Sequence, residues 1–226
     1  MKKHDLFVLG LHSIWTATYA YAIYYDVNFV KIPGHNVAPR NYAGRWKYLT
    51  FWNAVLQVVF YGVCLVCDVI SHKQLHRFKD FFFATIVFPL TLFVFLTFWG
   101  LYLVDRRLIF PVILDKYFPN WLNQVLHTMI VPTTLLELYL KPHKYPSRTT
   151  GTCALLLFIT IYTYWTLHLA YFAGIWVYPI FEVLDWTQRA VFFLFGFVVF
   201  LSLYVIGEKL NASVWTKAKP KQHKTK

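Results

Sequence analysis

The side chains with chemistry to offer lie inside apolar runs, and their spacing gives each run a polar stripe. Thr50, Asn53 and Gln57 fall at i, i+3 and i+7, on one helical face. Asn123, His127 and Thr134 fall at i, i+4 and i+11, with Glu137 close to the same face, and Thr160, Tyr164 and His168 step by four. A hydroxyl and an imidazole brought together form a nucleophile and its base, because a threonine oxygen attacks poorly until its proton is taken. Pattern alone leaves two plainer roles open. A threonine in a membrane helix ordinarily bonds its own i−4 carbonyl, and a buried histidine often only bridges helices.

Other chemistries are missing. The chain contains no G-x-S-x-G, H-E-x-x-H or phosphate-cradling glycine loop. His72 and His76 stand one turn apart as a lone pair on a loop, so no metal site or cofactor is expected. Cys64-x-x-Cys67 has redox spacing but lies in an apolar run, where two small apolar residues are the expected role. Three cysteines give no disulfide framework.

These stripes need helices to carry them. Of 226 residues, 58% are hydrophobic, 21% aromatic and only 14% charged; soluble domains carry roughly 25% charged residues. A bilayer core takes about 20 apolar residues per helix. Six runs fit, at about 6–25, 48–67, 81–104, 121–140, 152–173 and 190–206, so the expected fold is all-α, a single polytopic bundle of six transmembrane helices. The fourth run is the most polar. Lys2, Lys3 and Ala20-x-Ala22 imitate a signal peptide, but the apolar stretch between them is long enough to be a retained helix.

The net charge of +12 gathers in loops and in a basic tail, 209–226. That distribution points to the membrane surface rather than nucleic acid. With both termini on one side, that side holds 14 of the 22 Lys and Arg residues, so both termini are expected in the cytosol, in a plasma membrane or endomembrane. Asn211-Ala212-Ser213 then faces the cytosol, where the sequon stays unmodified. Pro33, Gly34, Pro39 and Gly44 predict an irregular first loop. Trp46, Trp99, Trp121 and Trp176 read as interface belt residues. Thr50 and His127 both fall within roughly 10 Å of the extracytosolic surface at 1.5 Å per residue, and His168 returns to that depth. His12, alone in the first run, reads as structural.

Several segments together resemble the androgen-induced gene 1 / androgen-dependent TFPI-regulating protein family. They are Arg45-Trp46-Lys47-Tyr48-Leu49-Thr50, Phe88-Pro89, Asp105-Arg106, Trp121-Leu122-Asn123 with His127-Thr128, Tyr145-Pro146-Ser147, Trp176-Val177-Tyr178-Pro179 and Gly207-Glu208-Lys209-Leu210-Asn211. Pro142-His143 and the basic tail are more similar to the androgen-dependent TFPI-regulating branch. The resemblance runs from about Arg45 to Trp215. It implies a multipass threonine hydrolase of fatty acid esters of hydroxy fatty acids, with Thr50 and His127 at the catalytic positions and a lipid ester drawn from the bilayer as substrate. It also implies a role in regulating a coagulation inhibitor, which a non-enzymatic protein could fill.

Such a mechanism needs a group to orient the imidazole. Asn123, one turn away, and Asp105, at the end of the third run, are on the right side. Glu137 lies ten residues on, roughly 15 Å along a helix. Asn53 and His168 are candidates for the surrounding pocket. Arg45 and Lys47, just above Thr50, are candidates for holding a substrate carboxylate, or are interface charges with no such task.

Overall fold

A computed structural model describes residues 3–32 and 42–216; Pro33, Gly34, Pro39 and the tail beyond 216 lie outside them. The described residues are all-α, with no strand. The helices are α1 (Lys3–Phe29), α2 (Leu49–Val69), α3 (Lys73–Phe82), α4 (Phe88–Asp105), α5 (Asn120–His127), α6 (Ile130–Leu140), α7 (Arg148–Phe172), the short α8 (Ile180–Val183) and α9 (Trp186–Thr216). Among the described residues five stretches are long and apolar enough to cross a membrane: Asp5–Phe29, Leu49–Val69, Lys73–Leu108, Arg148–Phe172 and Trp186–Trp215. In lipid a helix is the form that satisfies every backbone group within one segment, so the chain is a polytopic membrane protein.

The expected fourth span is a pair of half-helices. α5 ends at His127, and the Thr128 and Met129 amides both turn back to the Gln124 carbonyl before α6 begins. Pro132 explains the break: it has no N–H to offer the Thr128 carbonyl, and its ring crowds the preceding turn. Six continuous spans therefore become five plus a broken pair. A second proline is handled differently. Ahead of Pro89 the backbone widens into a π-turn, Phe83–Val87, in which the Phe88 amide reaches the Phe83 carbonyl. This joins α3 to α4 without a break.

Aromatic and aliphatic side chains fill the centre, among them Tyr19, Phe60, Tyr61, Phe88 and Tyr204. Two of the expected stripes face inward. Gln57 Nε2 donates to Thr91 Oγ1 at 2.6 Å, and Thr134 and Asn53 are buried. The α7 stripe is a correction: Thr160 and Tyr164 face outward, while Leu155, Ile159, Tyr162, Thr166 and Leu169 form the buried face. The buried set keeps a 3.5-residue period that runs the length of the helix. Residues stepping by four drift around it, and aromatic rings with polar tips are tolerated at a membrane interface.

α9 continues past Ile206, so 209–216 of the expected tail is helical. Asn211 uses its amide inside the fold, accepting from the His143 N–H at 3.1 Å and donating to the His143 carbonyl at 2.8 Å. Close approach of α9 depends on Gly207, where an added Cβ would lie 2.6 Å from both Phe88 Cδ1 and Tyr145 Oη. Gly207→Val should destabilise the bundle by about 1–3 kcal/mol through overpacking, read as a lowered unfolding midpoint in detergent.

Candidate active site

The start of α2 is fixed from outside the helix. Ala43 and Gly44 are left-handed, with φ of 63° and 51°, which Gly44 adopts without strain. The turn Gly44–Lys47 that follows is clamped on several sides. The Trp46 carbonyl accepts from the indoles of Trp52 at 2.6 Å and Trp165 at 3.0 Å, and the Lys47 carbonyl accepts from the Tyr162 hydroxyl at 3.0 Å. Arg45 pairs with Asp26 at 3.3 Å and donates to the Asp26 and Val30 carbonyls at the end of α1.

Tyr48 is the N-cap residue of α2, and its side chain does not cap the helix amides. The first helical amide, Leu49 N–H, instead donates to the Tyr178 hydroxyl at 2.9 Å. Burial pushes the Tyr178 phenol upward, so it stays protonated and remains a donor toward its neighbours. Thr50 follows as the second residue of the helix, and its backbone N–H belongs to the set that no intrahelical carbonyl reaches.

Against this turn sits the end of α5. Thr50 Oγ1 lies 3.1 Å from His127 Nε2. His127 Nδ1 lies 3.1 Å from the Asn123 carbonyl, which can only accept, so the proton is assigned to Nδ1 and Nε2 offers its lone pair to the hydroxyl. Phe98 stacks on the imidazole with ring centroids 3.6 Å apart and a 15° tilt. The ring is thereby held in plane by stacking and in rotation by a main-chain hydrogen bond. Asn123 is the orienting residue through its backbone; its side-chain Oδ1 is buried without a partner.

The other expected residues divide. Lys47 is buried and lines a cavity of about 460 Å³ together with Thr50, His127, Arg45 and Asp26. Its walls are apolar, with Phe93, Phe98, Phe192 and Phe200 among them, and exposed Ile113 and Glu182 belong to its rim. Asn53 is buried one turn below Thr50, with neither amide atom hydrogen-bonded. Asp105 does not bond the imidazole: it is half-buried and spent on Arg107, at 2.7 Å. His168 stands apart from the cavity, stacked on Trp165. The sequence did not reveal Phe98 or Tyr178 as part of the site. Tyr178 was within reach, because it lies in the Trp176–Pro179 segment.

The FAR-17a/AIG1-like protein family model matches residues 7–212. The chain belongs to this family. Its relatives include the human Androgen-dependent TFPI-regulating protein, 42% identical over 80% of this chain and 82% of that protein. The human Androgen-induced gene 1 protein is 34% identical over 84% of each chain. A UPF0641 membrane protein of Schizosaccharomyces pombe is 24% identical over 87% of this chain. No solved structure matches. Family membership and membrane residence thus agree with the motifs around Thr50 and His127. In this FAR-17a/AIG1-like chain, Tyr178→Phe should remove the acceptor for the first α2 amide, at about 1 kcal/mol, so that hydrogen exchange at Leu49 rises about fivefold.

Proposed function

We propose that the chain is a membrane hydrolase that cleaves fatty acid esters of hydroxy fatty acids, with Thr50 as nucleophile and His127 as general base. The observation that carries this reading is the 3.1 Å contact between Thr50 Oγ1 and an Nε2 whose lone pair is aimed at it. In the reaction His127 Nε2 takes the hydroxyl proton as Oγ1 bonds to the ester carbonyl carbon. The tetrahedral intermediate collapses, the ester C–O bond breaks, and the departing hydroxy fatty acid takes the proton from Nε2. Water, deprotonated by the same nitrogen, then releases the fatty acid from Oγ1.

The oxyanion would be met by the backbone N–H of Thr50, at the positive end of the α2 dipole. Arg45 and Lys47 both line the cavity and are the cations for the substrate's free carboxylate. The largely apolar cavity suits acyl chains. In this reading the site faces the extracytosolic side and both termini lie in the cytosol.

A second reading, a non-enzymatic membrane regulator of TFPI, takes its regulatory role from the name of the 42% identical human relative. The two separate on three variants at matched expression. If the hydrolase reading holds, Thr50→Ser keeps ester cleavage within about tenfold, whereas Thr50→Ala and His127→Ala each lower it by at least ~100-fold. Full activity in either alanine variant contradicts the assignment. A Thr50→Ala variant that still alters TFPI levels assigns regulation to a property other than catalysis.

A further inference from the structure

The far end of the bundle holds a second convergence of side chains that the hydrolase chemistry does not use. Cys64 lies 14 residues beyond Thr50 on α2, roughly 21 Å away along the helix at 1.5 Å per residue. There, ligand atoms of His12 on α1, Cys64 on α2 and Glu137 on α6 all lie within 4.8 Å of one another, and all three residues are buried. His12 Nε2 is 2.8 Å from Glu137 Oε2, and Cys64 Sγ is 3.8 Å from Glu137 Oε1. From the α6–α7 connection His143 brings its Nε2 to 3.4 Å from the same Oε1.

We propose that His12, Cys64, Glu137 and His143 form a structural binding site for one zinc-type divalent metal ion. The donor set of imidazole, thiolate and carboxylate is the one zinc takes. With Zn–N, Zn–O and Zn–S lengths of 2.0–2.3 Å at tetrahedral angles, neighbouring donors stand about 3.3–3.6 Å apart. The Cys64 and His143 separations from Oε1, 3.8 and 3.4 Å, are in or within a few tenths of an ångström of that range, and His12, 2.8 Å from Oε2, needs to move out by about half an ångström.

The surroundings are those of metal-ligating histidines, which pass their second ring N–H to a carboxylate. His12 Nδ1 is 2.6 Å from Asp68 Oδ2, and His143 Nδ1 is 3.2 Å from Asp80 Oδ1. Both rings therefore turn Nε2 toward Glu137. His143 is 3% exposed, its Nε2 has no hydrogen-bond partner, and its backbone is clamped by Asn211. With its proton on Nδ1, that nitrogen points a lone pair at a carboxylate, an arrangement that a cation between them turns from repulsive to bonding. An adjoining cavity of about 300 Å³, lined by His12, Cys64, Cys67, Asp68, Lys79 and Asp80 among others, gives an ion its way in. Bound there, the ion would tie the proline-broken half-helix α6 to α1 and α2.

The competing arrangement is a network of ion pairs in which a protonated His12 bridges Asp68 and Glu137, flanked by Lys79 and Lys141. The test uses the full chain without a histidine tag, purified in detergent, stripped with a chelator and titrated with Zn²⁺ or Co²⁺ alone. The proposal expects about one ion per chain, and a Co²⁺ spectrum with intense tetrahedral d–d bands and a thiolate charge-transfer band. Cys64→Ser should abolish the charge-transfer band and keep the d–d bands; Glu137→Gln should weaken retention at least ~10-fold. A monodisperse wild-type chain holding less than about a tenth of an ion, or one whose ion is lost with His76→Ala and unaffected by Cys64→Ser, overturns it. The wild-type stoichiometry decides the matter even where a variant fails to fold.

Discussion

The hydrogen bond between Thr50 and His127 joins two elements that the sequence separates by 77 positions. Much of the architecture at this end of the bundle is arranged so that neither partner can move. A nucleophile and base must stay within a few tenths of an ångström, and side chains on rigid elements achieve this only when those elements are themselves fixed. α2 begins where Tyr162, Trp52 and Trp165 grip the preceding turn and Tyr178 holds the first helical amide. α5 ends at the histidine itself, whose ring is held by the Asn123 carbonyl and by Phe98.

The broken fourth span belongs to the same logic. Because Pro132 stops a continuous helix, α5 and α6 are free to serve different ends of the bundle. The first half carries His127 to the Thr50 turn. The second carries Glu137 into a cluster with His12, Cys64 and His143. A carboxylate buried in hydrocarbon is stable only with partners, and α6 finds them on α1, α2 and the connection to α7. The polarity that made this run the poorest membrane anchor is spent on these two sites.

How much was legible in the sequence depended on the range of the interaction. Apolar length announced the helices, and i, i+3, i+7 spacing correctly turned Asn53 and Gln57 inward. The α7 stripe failed because a step of four drifts off a face that repeats every 3.5 residues; the buried heptad at Leu155, Ile159, Tyr162, Thr166 and Leu169 was the better guide. The orienting group was sought among side chains, yet it is a main-chain carbonyl of Asn123, which no residue type encodes. His12 read as structural because it is single in its run. Its partners Asp68 and Glu137 stand 56 and 125 positions away, and only the packing of α1 on α2 and α6 makes them neighbours.

The central claim, that Thr50 is a nucleophile activated by His127, is tested most directly by covalent labelling. The wild-type chain and His127→Ala would be exposed to a fluorophosphonate probe in membranes and the modified peptide identified by mass spectrometry. The account predicts one adduct, on Thr50, in the wild type and at least ~100-fold slower labelling in His127→Ala. An adduct on another residue, or equal labelling of Thr50 in both proteins, would contradict it.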